Sequence, residues 1–223
     1  MTSEDAIKTL LRHGPGLPND ELETFSGSLL ARSRPAEAHF WDIVRALHQI
    51  APEVAKSANI DKRVPFALWI ICDSALTAAD RQIQNFPSTA SLSAEDRLQI
   101  GTWGRCLASV SQMLLRGDDV GEAFLPVAAY VATTQSIPKD AAFLISEFET
   151  SLKRLVETGD DSWEDDLVNL LTSIGKIGNP TDANLDMIKG IAYKHSNAEV
   201  RDSARVAAGL IEKRRLGALG PND

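Results

Sequence analysis

The chain has 223 residues, enough for one well-cored domain or for about five or six helix pairs of roughly 35 to 45 residues. With 43% hydrophobic and 24% charged residues, it has the composition of an ordinary soluble protein. Its net charge of −8 argues against non-specific attraction to a nucleic-acid backbone or an anionic membrane, since both need a positive face.

Cys72 and Cys106 each sit among apolar residues at helical spacing, the setting of packed, reduced thiols, and two isolated cysteines form no metal site unaided. The first residues, MTSEDAIKTLLRHG, carry early acids and no long apolar core, so no signal peptide is expected. The longest apolar run, Pro65 to Cys72, is too short to span a bilayer. A cytoplasmic location is the expectation.

Nearly every segment reads as helix. Thr2 to Arg12 has a Thr/Ser cap, acids in its first turn, and Ile7, Leu10 and Leu11 on one face. HGPGLP stops it. Asn19 is expected to cap a second helix carrying Leu22, Phe25, Leu29 and Leu30. Pro35 opens a third, with Phe40, Ile43, Val44, Leu47 and Ile50 at spacings of three and four.

A longer apolar helix is expected from about Arg63 to Phe86, carrying Phe66, Trp69, Ile70, Asp73, Leu76 and Ile83. Ser93 and Asp96 form a capping-box pattern for a helix to about Leu115, closed by Arg116-Gly117. Asp118 and Asp119 open another through Val131, which Pro126 should kink or split. Pro138 opens a helix with Phe143, Leu144, Phe148, Leu152 and Leu155, ended by Gly159. No stretch sustains a strand-like alternation. The fold class is therefore all-α, with antiparallel helix pairs stacked as a short α-solenoid of about ten helices.

Repetition is most legible from Trp163 to Arg215, which reads helix, turn, helix, turn, helix. In Asn197 to Leu210, an Asn cap is followed by Val200-Arg201 and by small residues at Ala204 and Ala207. Leu171 to Pro180 reads as a helix end and the turn after it. These two segments resemble HEAT-type repeats, with Ile174 and Leu210 as equivalent positions 36 residues apart. The resemblance covers about residues 163–215 and implies a scaffold that binds other macromolecules. The organisation expected is one all-helical domain, with diverged repeats or a bundle over 1–160, the clearest repeats over 161–215, and a flexible tail over 216–223. Packing alone predicts that Val200, Val206 and Leu210 fill the helix seam, and that Arg201 contacts a carboxylate or carbonyl in the adjoining turn.

Catalytic patterns are missing from the sequence. His13, His39, His48 and His195 include no HExxH and no second ligand at three or four residues, so surface or loop positions are expected. There is no GxSxG, phosphate-binding loop or GxGxxG, and no cofactor is implied. Some HEAT-like proteins of this length are DNA glycosylases acting on alkylated bases through a basic, tryptophan-lined groove and a catalytic carboxylate. Trp41, Trp69, Trp103 and Trp163 offer the aromatics, but 23 basic against 31 acidic residues is the wrong sign for DNA. The tryptophans are expected in cores.

Charge is the remaining signal. Asp140 to Asp166 holds nine acids and two bases, −7 of the total −8. A helix start uses one or two acids, with Ser162 and Asp165 as an expected N-cap pair. Six between Glu157 and Asp166 repel one another. Glu157, Asp160, Asp161, Glu164, Asp165 and Asp166 are thus the candidate binding ridge for a basic protein. A toxin or effector neutralised by an immunity protein would be one such partner, and a structural adaptor is the other non-enzymatic reading. Neither a nucleic acid, a membrane nor a metal is expected as a partner.

Overall fold

A computed structural model describes residues 1–15, 24–31, 33–56, 60–80, 92–134, 137, 141–178 and 182–216, except the side chains of Asp161 and Ala183. These residues contain eleven α-helical segments, two short 3-10 turns and no strand. They form two compact units, Met1–Ala123 and Phe124–Asp223.

The first unit holds α1 (Ser3–His13), α2 (Phe25–Leu30), α3 (Glu37–Lys56), α4 (Arg63–Ala79), α5 (Ala94–Arg116) and the single turn α6 (Val120–Ala123). Two of its helices begin on complete capping boxes. Thr2 and Asp5 satisfy each other's backbone at the start of α1, and Ser93 and Asp96 do so at the start of α5. The cap of α2 is Thr24, whose hydroxyl accepts from the Gly27 amide at 3.0 Å, and Asn19 lies outside the described residues. Helix α4 ends at Ala79, with Asp80 as its C-cap, so it stops short of the expected Phe86. Residues 81–91, including Ile83 and Phe86, are outside the description.

Helices α4 and α5 pack antiparallel and very close. A side chain at Gly101 would meet Ala79, and one at Gly104 would meet Ala75. The order along one helix therefore reverses along the other. The core lies where α2, α3 and α5 meet. Trp103 is fully buried there, stacked on Phe40 at 5.5 Å and tilted against Phe25 at 6.2 Å.

The second unit contains α7 (Leu125–Thr133), α8 (Ile145–Thr158), α9 (Glu164–Ile177), α10 (Asp182–Lys194) and α11 (Ala198–Arg215). As expected, Pro126 separates α7 from α6, and it is accommodated in the first turn, where its missing N–H costs nothing. Pro138 is outside the description, and the helix with Phe148 and Leu152 begins at Ile145 after a 3-10 turn over Ala141–Leu144.

Hydrogen bonds fix the directions in this unit. Ser173 donates to the Ala128 carbonyl at 2.7 Å, and one turn on Lys176 donates to the carbonyls of Val131, Ala132 and Thr134 at 3.2, 2.6 and 2.8 Å. Helices α7 and α9 are therefore parallel. The same holds for α9 and α11: Glu164 meets Asn197 at their starts, and Arg214 donates to the Gly175 carbonyl at 2.6 Å near their ends. Helix α10 runs antiparallel to α11, because Asp182 pairs with Arg215 while Lys189 pairs with Glu212. Three parallel helices with intervening helices between them in sequence are the stacking of a helical repeat.

One device recurs in that stack. A cation in the last turn of α9 satisfies the free carbonyls ending α7, and Arg214 in the last turn of α11 does the same for α9. Gly175 lets α11 approach, since a Cβ there would lie 2.9 Å from the Ala207 Cα. Burial lowers the Lys176 pKa, yet three carbonyls hold its ammonium. Lys176→Met keeps the stem and removes the donors. It should lower the stability of the second unit by about 1–2 kcal/mol in urea unfolding. A loss indistinguishable from zero would mean water serves those carbonyls equally well.

Candidate functional site

The acidic ridge forms at the junction of α8 and α9. Helix α8 ends on Gly159, whose φ of 62° is left-handed, and the chain turns through Asp160 and a 3-10 segment, Asp161–Trp163, into α9. Because the turn is short, residues adjacent in sequence stay adjacent in space. Glu157 is exposed in the last turn of α8 and lies 3.9 Å from Lys153. Asp160 is exposed and accepts from the Ser162 amide at 2.9 Å, which holds its carboxyl below the ordinary range. Asp165 is exposed in the first turn of α9.

Two members differ. Glu164 is half-buried and accepts from the Asn197 side chain at 2.6 Å, while the Asn197 oxygen caps α11 by accepting from the amides of Glu199 and Val200. Glu164 therefore ties two parallel helices together at their starts. Asp166 is half-buried, and its pKa is raised, first by burial and then by the charge of Asp165. The side chain of Asp161 is outside the description, as is Asp140. Ser162 does not cap α9: the N-cap is Trp163, with no side-chain hydrogen bond. No ion pair among the described residues engages Asp160, Asp165 or Asp166.

The expected packing in the repeat is corrected at one position. Val200 is buried and Leu210 half-buried, but Val206 is 63% exposed and fills no seam. Arg201 does what its position suggested, donating to the carbonyls of His195 and Ser196 at 2.7 and 2.6 Å. His195 accepts from the Asn197 amide at 3.2 Å, a local turn contact.

Other chemistry-bearing groups have structural surroundings. Burial pushes the Cys72 and Cys106 thiols up to about 12, too high for a ready nucleophile. His13 is not a surface histidine. It is buried, with its ring 5.2 Å from that of His39. No group of three or more metal-ligating side chains occurs among the described residues, and no described helix is long and apolar enough to cross a membrane. A pocket beside α1, α3 and α4 is lined by Ile7, Ile50, Val54, Ile60 and Val64 with Glu53 and Asp61.

The tryptophans do not share one environment. Trp41 and Trp103 are buried, Trp163 is half-buried, and Trp69 is 62% exposed. Trp69 stacks on Phe66, itself 52% exposed, at 6.4 Å on the outer face of α4. The sequence reading missed this aromatic surface. Together, fold and site define a class: an all-α protein of packed helices, acidic where α8 meets α9. Compared with protein-family models, curated proteins and solved structures, the chain has no match.

Proposed function

We propose that the chain is a non-enzymatic binding scaffold, HEAT-like in its second unit, that engages a basic protein through the ridge from Glu157 to Asp166. The observation that carries this reading is unrelieved like charge. Asp160, Asp165 and Asp166 sit at one junction with no ion pair among the described residues, and Asp166 is raised by burial beside Asp165. A cationic partner would relieve that repulsion and gain association rate from it. One partner class with this chemistry is a cationic toxin, which the chain would neutralise in a cytoplasm as an immunity protein does.

Glu164 divides the ridge by role, since its bond to Asn197 supports the fold, whereas Glu157, Asp160 and Asp165 face solvent. The triple variant Glu157→Lys, Asp160→Lys, Asp165→Lys should retain wild-type helicity by circular dichroism. It should lose a partner that the immobilised wild-type chain captures from its source cell. That capture should also fall as ionic strength rises from about 0.1 to 1 M. A partner retained equally by wild type and triple variant would remove the ridge from the interface.

A further inference from the structure

The outer face of α4 carries a pattern that a helix uses to meet another helix. Lys62, Phe66, Trp69, Asp73, Leu76 and Asp80 are all exposed, and they follow one another at spacings of four, three, four, three and four. That is one stripe with a mean repeat of 3.6 residues, a single straight face of the helix. Phe66, Trp69 and Leu76 are 52%, 62% and 40% exposed. They offer roughly 300 Å² of apolar side chain, the scale of a functional patch on a monomer.

The stripe reads the same from either end. Turned end for end about its midpoint at Ile71, it places Phe66 against Leu76, Trp69 against Asp73, and Lys62 against Asp80. Apolar meets apolar, the indole N–H meets a carboxylate, and a cation meets an anion. A parallel copy would set Lys62 on Lys62 and Asp73 on Asp73.

From this self-complementarity we infer that two copies of the chain associate through antiparallel α4 helices, with Trp69 and Asp73 of each copy flanking the two-fold axis. The surface is modest, because two copies of the three apolar side chains bury about 600 Å², below the roughly 1,200 Å² of a standard interface. The dimer is therefore weak and concentration-dependent. It is independent of the acidic ridge, which lies in the other unit.

Sedimentation velocity over about 1 to 300 μM should show the mean mass rising from monomer towards dimer. Trp69→Ala and Phe66→Ala should each abolish that rise while leaving the thermal melt near wild type, since both side chains are exposed. The register has its own test. Lys62→Cys mixed with Asp80→Cys, treated with a short bismaleimide, should give the mixed cross-link in preference to either self-cross-link. Both variants are made in a Cys72→Ala, Cys106→Ala background, because Cys72 is half-buried on α4 beside the stripe. A chain monomeric throughout, a Trp69→Ala variant that self-associates like wild type, or a dominant Lys62→Cys self-cross-link would each overturn the inference.

Discussion

Replacing Trp103 with alanine should cost the first unit about 3–5 kcal/mol, the largest loss expected from any single side chain here. The indole is fully buried and is the meeting point of three helices. It lies on α5, its face stacks on Phe40 of α3 with the ring planes 13° apart, and Phe25 of α2 tilts against it. Phe40 in turn receives Trp41 edge-on at 5.1 Å. Above the indole sits the Arg34 guanidinium, 6.0 Å from the ring centre and held by Asp96 at 3.2 Å and Gln99 at 2.5 Å. Alanine would empty the space and leave Phe25 and Phe40 without their common surface. Trp103→Phe keeps a ring for Phe40 and should lose less than half as much. Urea unfolding followed by near-ultraviolet circular dichroism, which reports the stacked rings, separates the two. A Trp103→Ala loss under about 1 kcal/mol would show that the aromatic stack does not organise this unit.

What the sequence made legible was local. The caps at Thr2, Ser93 and Asn197, the stops at Gly117 and Gly159, and the break at Pro126 each depend on a few neighbouring residues, and each is present. The acidic ridge is legible for the same reason, since a short turn keeps contiguous acids together. Features set by distant partners were not. Glu164 reads as one more ridge acid until Asn197, 33 residues on, takes its carboxylate. Nothing in the sequence singled out Lys176 or Arg214, because the carbonyls that each satisfies belong to the preceding parallel helix.

Helix α4 shows a different limit. It is apolar on several faces, so periodicity could not say which side turns inward. Ala67, Ile71, Ala75 and Ala78 are buried, and Phe66, Trp69 and Leu76, larger on average, are left outside. The glycines of α5 favour this choice, because a Cβ at Gly101 would lie 2.8 Å from Ala79 and one at Gly104 2.9 Å from Ala75, with Leu76 at the edge of the contact, 3.3 Å from the latter. Size, set by the neighbouring helix, decided the face.

Acid should weaken the first unit through His13, the second large effect expected. The side chain is 2% exposed, and its Nδ1 accepts the Phe25 amide at the start of α2, 3.2 Å away. Only a neutral ring does so. Burial, then the charge of His39, then that of Arg12 lower its pKa from 6.5 to about 4. Asp42, 3.9 Å from Nε2 and 44% exposed, is the one opposing charge within ion-pair range among the described residues. Because the folded state binds the proton more weakly, the unfolded chain holds more protons between about pH 4 and 6.5. Stability therefore rises with pH across that window: the contribution is complete above about 6.5 and lost as pH falls towards 4. Its size is about 3 kcal/mol. His13→Gln retains an acceptor for the Phe25 amide and cannot titrate, so unfolding free energies of the two proteins should diverge as pH drops from 7 to 4.5, the wild type losing more. Carboxylate titration is common to both and cancels in the difference. Parallel pH profiles would show that a protonated His13 is tolerated in the fold, and that the amide of Phe25 does not depend on it.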